Sequence, residues 1–100
     1  VLTGRRFNGE QAMQYGLATQ ISENPIEDAL AMAAAIAIRN PDAVRAAKRI
    51  MNNSALVDVA TGLAEEAAAT RQLLASANQL EAITAQFEER QPKFKDMQSN

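Results

Sequence analysis

Residues 24–42 read NPIEDALAMAAAIAIRNPD, and this stretch decides the fold class. Asn24-Pro25-Ile26-Glu27 is a helix start. Asn24 is placed to accept from the Glu27 amide, Glu27 to reach back, and Pro25 has its φ preset for the first helical position. The helix is predicted to run to Arg39, with Ile26, Leu30, Ala33, Ala34 and Ala37 sharing a face. Asn40-Pro41-Asp42 then repeats the device, so two helices meet at a hinge and do not form one rod.

Outward from that hinge the same grammar continues. A third helix is predicted over 41–52, with Val44, Ala47, Lys48 and Met51 on one face. The longest is placed at 56–75. There Leu56, Val59, Leu63, Ala67, Thr70 and Leu74 recur every three or four residues, giving a narrow apolar seam. Gly62 weakens it by about 1 kcal/mol relative to alanine. A last helix is placed at 79–90, with Asn78 and Glu81 as its capping box and Pro92 beyond its end. On the amino-terminal side, Asn8, Gln11 and Gly16 punctuate a short helix over 9–15, with Phe7 and Ala12 as a weak staple. Leu17 to Ile21 alternates, as an extended connector or a short edge strand. The residues from 95 onward are expected to fray.

Composition agrees. The chain has 100 residues, among them 21 alanines, with four glycines, three prolines and four aromatics. Alanine is the best helix former, and strand formers are scarce. The expectation is one all-α domain over 1–100, a small orthogonal helical bundle of four to five helices. With no cysteine or histidine, disulfides, zinc sites and Ser-His-Asp relays are excluded within these residues, and no metal site is expected. A net charge of −2 argues against a nucleic-acid partner. No apolar run is long enough for a membrane span and no signal peptide opens the chain, which makes a soluble, cytoplasmic protein the expectation. The first residues, Val1-Leu2-Thr3-Gly4, lack an initiator methionine, as a piece of a longer chain would.

Three segments together resemble the enoyl-CoA hydratase/isomerase (crotonase) superfamily. Leu2-Thr3-Gly4-Arg5-Arg6-Phe7, followed by Ala12 and Gly16-Leu17, is similar to its "LTGRRF…A…GL" stretch. Asn40-Pro41 through Ala46-Ala47-Lys48-Arg49 is similar to its "NP…AAKR" helix. Glu81-Ala82-Ile83 through Glu88-Glu89-Arg90-Gln91-Pro92-Lys93-Phe94 is similar to its carboxyl-terminal ending. The resemblance implies the carboxyl-terminal helical portion of a chain about two and a half times longer. The family's catalytic spiral, with an oxyanion hole for the thioester carbonyl, would lie outside these residues. The implied parent is an acyl-CoA-processing lyase or isomerase of fatty acid metabolism. This portion alone would be inactive. It would pack on the rest of the chain and on neighbouring subunits of a homotrimer or hexamer. A coenzyme A thioester is the implied substrate, with no covalently bound cofactor.

No residue here is expected to be catalytic. The family places an aromatic and a lysine where its last helix meets coenzyme A. Here Gln86 and Glu89 stand at those positions. Phe87 is one residue late, about 100° around the helix, and is expected in the core. Arg90 and Lys93 are the candidates for a coenzyme A phosphate. Glu65-Glu66 and Glu88-Glu89 are adjacent on helices and diverge, so neither pair forms a proton-sharing dyad. Glu66 is expected in helix-to-helix hydrogen bonding. Gly4, Gly9 and Gly16 lack the strand and Lys-Ser/Thr of a phosphate cradle. Tyr15, Met13, Met32 and Met51 are expected in the core. The alternative is a free-standing, non-enzymatic helical interaction module whose seam from Leu56 to Leu74 binds a partner. On either reading Leu56, Val59, Leu63, Leu74, Ile83 and Phe87 are expected to offer an apolar surface for cover.

Overall fold

The structure is a computed structural model that describes residues 3–96. Among them it is all-helical, with five helices: α1 (Gly9–Gln14), α2 (Pro25–Ala37), α3 (Pro41–Asn53), α4 (Val59–Leu73) and α5 (Ala77–Phe87). No described residue is in a strand, so 17–21 is a connector and no edge strand. The chain divides into two compact units, Val1–Ala33 and Ala34–Asn100.

In the first unit the capping box is complete. Asn8 Oδ1 accepts the Gln11 amide at 2.9 Å, and Gln11 Oε1 accepts the Asn8 amide at 3.1 Å. Gly16, at φ 76°, takes the left-handed turn that lets the Leu17 and Gly16 amides reach Ala12 O and Met13 O. Phe7 meets the Tyr15 ring edge-on at 6.0 Å, and Arg5 Nη2 donates to the Tyr15 hydroxyl at 2.7 Å. The start of α2 differs from expectation. Ser22 Oγ, two residues earlier, accepts the Asn24 amide at 2.9 Å and donates to the Asp28 carboxylate, in place of an Asn24–Glu27 box. A serine hydroxyl has lone pairs to accept and one O–H to donate, so it makes both bonds at once.

The second unit holds α3, α4 and α5. Asn40 Oδ1 caps α3 through the Asp42 amide at 3.0 Å, with Pro41 in the first turn. Asp58 caps α4 through the Thr61 amide at 2.7 Å, so α4 begins three residues later than expected. Helix α3 packs on α4, and the inward side chains are small. Ala46, Ala69 and Ala85 are buried. The inward face of α3 carries Ala43, Ala46, Ile50 and Asn53, a register rotated from the expected Val44, Ala47, Lys48 and Met51, of which only Val44 is half-buried.

The bulky side chains point the other way. Leu56 is 81% exposed, Val59 79%, Leu63 61% and Phe87 85%. The expected apolar surface of Leu56, Val59, Leu63, Leu74 and Ile83 is therefore present. Phe87, placed in the core by its spacing, is exposed as well, and Tyr15, Met13, Met32 and Met51, also expected in the core, are each exposed. The reason is geometric: helices that meet through alanine methyls approach closely and leave no hole for a larger side chain.

Candidate functional site

Helix α5 and the segment that follows it bring together both basic candidates. Ser76 Oγ caps α5 at the Gln79 amide, 3.3 Å away. Asn78 therefore sits inside the helix and does not cap it, and Glu81 does not close a box with it. The helix ends with Glu89 in the left-handed region at φ 53°. That turn lets the Arg90 amide reach Ala85 O at 3.0 Å and sends the chain back alongside α5.

Three side chains hold the returning segment. Asn78 is 5% exposed. Its Oδ1 accepts the Lys95 amide, and its Nδ2 donates to Lys95 O and to Asp42 Oδ2, each at 2.8 Å. All of its donor capacity is thereby used. Glu81, one turn along the same face, accepts the Lys93 amide through Oε1 at 2.8 Å. It also takes Arg90 in a bidentate pair, Nη1–Oε1 2.6 Å and Nη2–Oε2 3.2 Å. Arg45 pairs with Asp96 at 3.2 Å. Lys95 and Asp96, at the start of the tail expected to fray, thus have these partners; residues 97–100 lie outside the described ones.

These contacts set the electrostatics. The Arg90 hydrogen bond, then the Lys93 amide, lowers the Glu81 carboxyl from its ordinary 4.5 to about 2. Glu81 is thus a fixed anion at neutral pH and no proton carrier. Arg90 is correspondingly raised by Glu81 and then by Glu88, which accepts from its Nε. Its guanidinium is shared between two carboxylates, so a phosphate at Arg90 must compete with them. Lys93 is exposed and its own contact here is through the backbone. Beside them lies an open groove of about 570 Å³ lined by Arg39, Val44, Ala82, Ala85, Arg90 and Phe94. Asp42 Oδ1 is buried without a hydrogen-bond partner among the described residues.

This arrangement holds a chain segment and offers positive charge. No cluster of three or more metal-ligating side chains occurs among the described residues. Glu66 contributes its backbone oxygen, to Thr70 Oγ1 at 2.9 Å, and its side chain is exposed. The expected interhelical hydrogen bond from that carboxylate is not among the described contacts. Arg39, Asn78 and Glu81 were not singled out for this role by the sequence. Their signal is the three-residue step from Asn78 to Glu81 matched by the two-residue step from Lys93 to Lys95 after Pro92.

The enoyl-CoA hydratase/isomerase family model matches residues 1–98. The chain belongs to this family. It is 36% identical over 100 residues to the mouse protein named enoyl-CoA hydratase domain-containing protein 2, mitochondrial, covering 94% of this chain and 34% of that one. It is 35% identical over 97 residues to the 2,3-dehydroadipyl-CoA hydratase of Escherichia coli K12, covering 95% and 38%. A crystal structure of an enoyl-CoA hydratase from Polaromonas sp. JS666 superposes with a TM-score of 0.81 at 24% identity. That match covers 95% of this chain and 38% of that chain, and supports the family fold. The chain thus spans about a third of the length of its crotonase relatives. No described helix is long and apolar enough to cross a membrane.

Proposed function

We propose that these residues are the carboxyl-terminal helical portion of an acyl-CoA-processing enzyme of the hydratase or isomerase type, with the catalytic spiral lying elsewhere in a longer chain. The observation that carries this reading is the pairing of a near-complete family match with coverage of only about a third of each relative. The outward apolar side chains of α4 and α5 support it, because a lone domain rarely leaves such a surface uncovered. In the whole enzyme this portion, one helical domain over 1–100, covers the rest of the chain and makes contacts within a homotrimer or hexamer. A coenzyme A thioester is the substrate. Arg90 and Lys93 face its phosphates, Lys93 as a free ammonium and Arg90 after exchange with Glu81.

Mass spectrometry of the native product tests the reading, joined to a hydratase assay on a crotonyl thioester. A product of the relatives' length that turns over the thioester, with the 100-residue chain inactive, is the expected result. A native product of 10.8 kDa, or turnover by the 100-residue chain, overturns it. The proposed compartment is the cytoplasm. The mouse relative is named as mitochondrial, and fractionation of the native host decides between the two.

A further inference from the structure

Residues 90–96 are held to α5 by a clasp with matched spacing. Alternate residues of an extended chain present their amides on one side about 6.6 Å apart. Side chains three apart on a helix are about 5–6 Å apart. Lys93 and Lys95 are the alternate residues, and Asn78 and Glu81 are the helical pair that receives their amides at 2.8 Å each. Pro92, one residue earlier, has no amide to leave unpaired. Phe94, between the two clasped residues, is half-buried against the groove that Val44, Ala82 and Ala85 line.

The hold is polar and, beyond the buried Asn78, shallow. Gln91, Lys93, Lys95 and Asp96 are exposed, and only Pro92 and Phe94 are half-buried. Segments held by a few solvent-accessible hydrogen bonds and little apolar area open at the low end of a protein's range of local stabilities. The turn before the segment is set at Glu89, a non-glycine residue in a left-handed conformation that the bonds beyond it help to maintain.

We infer that residues 90–96 are a detachable strap, clasped by Asn78 and Glu81 and hinged at Glu89, whose release removes one wall of the α3–α5 groove and frees the Arg90 guanidinium from Glu81. The strap opens as one unit because both clasping side chains stand on one face of one helix. Opening exposes Val44, Ala82 and Ala85 without unfolding α3, α4 or α5. The inference stands on this geometry and not on the proposed enzyme.

Amide hydrogen exchange on the 100-residue chain, its Asn78→Ala variant and its Phe94→Ala variant tests it. In the unaltered chain the Lys93 and Lys95 amides exchange at a common rate, at least tenfold faster than Ala46 and Ala69. Each variant speeds both strap amides together by at least a further tenfold and leaves Ala69 unchanged. Phe94→Ala leaves the buried Asn78 in place, so its result holds where Asn78→Ala loosens the helices. Strap amides as slow as those of α3 and α4, a variant that speeds Lys95 and not Lys93, or equal acceleration of every amide in both variants overturns the strap.

Discussion

Asn78 grips Lys95 at both polar ends of its backbone: Oδ1 takes the amide and Nδ2 reaches the carbonyl, each at 2.8 Å. This is the pairing one strand residue makes with another, supplied here by a side chain that a helix holds still. The third bond of the group, to Asp42 Oδ2, joins the same point to the first turn of α3.

Asn78→Ala removes that junction and leaves the Asp42 carboxylate, whose Oδ1 already lacks a partner, with neither oxygen paired. A buried polar group stripped of its partner costs about 1–3 kcal/mol. Ser76→Ala loses a cap, at about 1 kcal/mol. Urea unfolding at unchanged slope is expected to rank Asn78→Ala as the more damaging. The reverse ranking would mean that the Asn78 junction contributes less than the Ser76 cap of α5.

Acid is expected to loosen the strap through Glu81. Its folded carboxyl titrates near 2 against an ordinary 4.5 because Arg90 and the Lys93 amide favour the anion. A depressed carboxylate adds stability that is whole above about 4.5 and fades as pH falls toward 2. Glu88 also faces Arg90 and Lys93 lies beside Glu81, so the reading must be site-specific. A carbon-13 titration of the Glu81 carboxyl should show a midpoint near 2. In Glu81→Gln, strap protection, taken relative to the intrinsic exchange rate at each pH, should no longer change across that window.

Ala75 occupies a left-handed conformation at φ 60° after α4. Alanine pays about 1 kcal/mol there that glycine does not. Ala75→Gly is therefore expected to raise the thermal midpoint, against the usual effect of glycine near a helix. Calorimetry of the two chains checks it, and a fall would mean that the unfolded state's gain in freedom outweighs the relief.

Leu63 is exposed on α4 and the Lys95 side chain on the strap. Leu63→Asp is expected to keep helicity and weaken assembly at least tenfold, about 1.4 kcal/mol, because it places an unpaired carboxylate in a covered surface. Lys95→Asp should leave assembly unchanged. Sedimentation with circular dichroism separates the outcomes, and equal behaviour of the two variants would remove α4 from the interface.

Helix positions were largely legible in the sequence, because Pro25, Pro41 and the Asn8–Gln11 pair mark starts through local chemistry alone. The start of α5 was not. Ser76 with Gln79 and Asn78 with Glu81 carry the same three-residue signature, and the choice between them is made by Asp42 and Lys95, distant in sequence. Which face of each helix turns inward was also hidden. Periodicity turns Val44, Ala47, Lys48 and Met51 inward on α3, whereas Ala46 and Ala69 are what the α3–α4 approach admits. Arg90 and Lys93 were found as basic residues near one another. That Glu81 already holds Arg90 needed the turn at Glu89, which no residue preference announces.

An interior of methyl groups has a calorimetric signature. Heat capacity rises on unfolding in proportion to the apolar surface that water gains, about 1.2–1.5 kcal/mol/K for an ordinary 100-residue domain. Ala46, Ala69 and Ala85 have little to expose, while Leu56, Val59 and Phe87 are wetted already. The increment for this chain should fall well below that range. Its stability curve is then flat, its thermal transition broad, and both sharpen when another surface closes over α4 and α5.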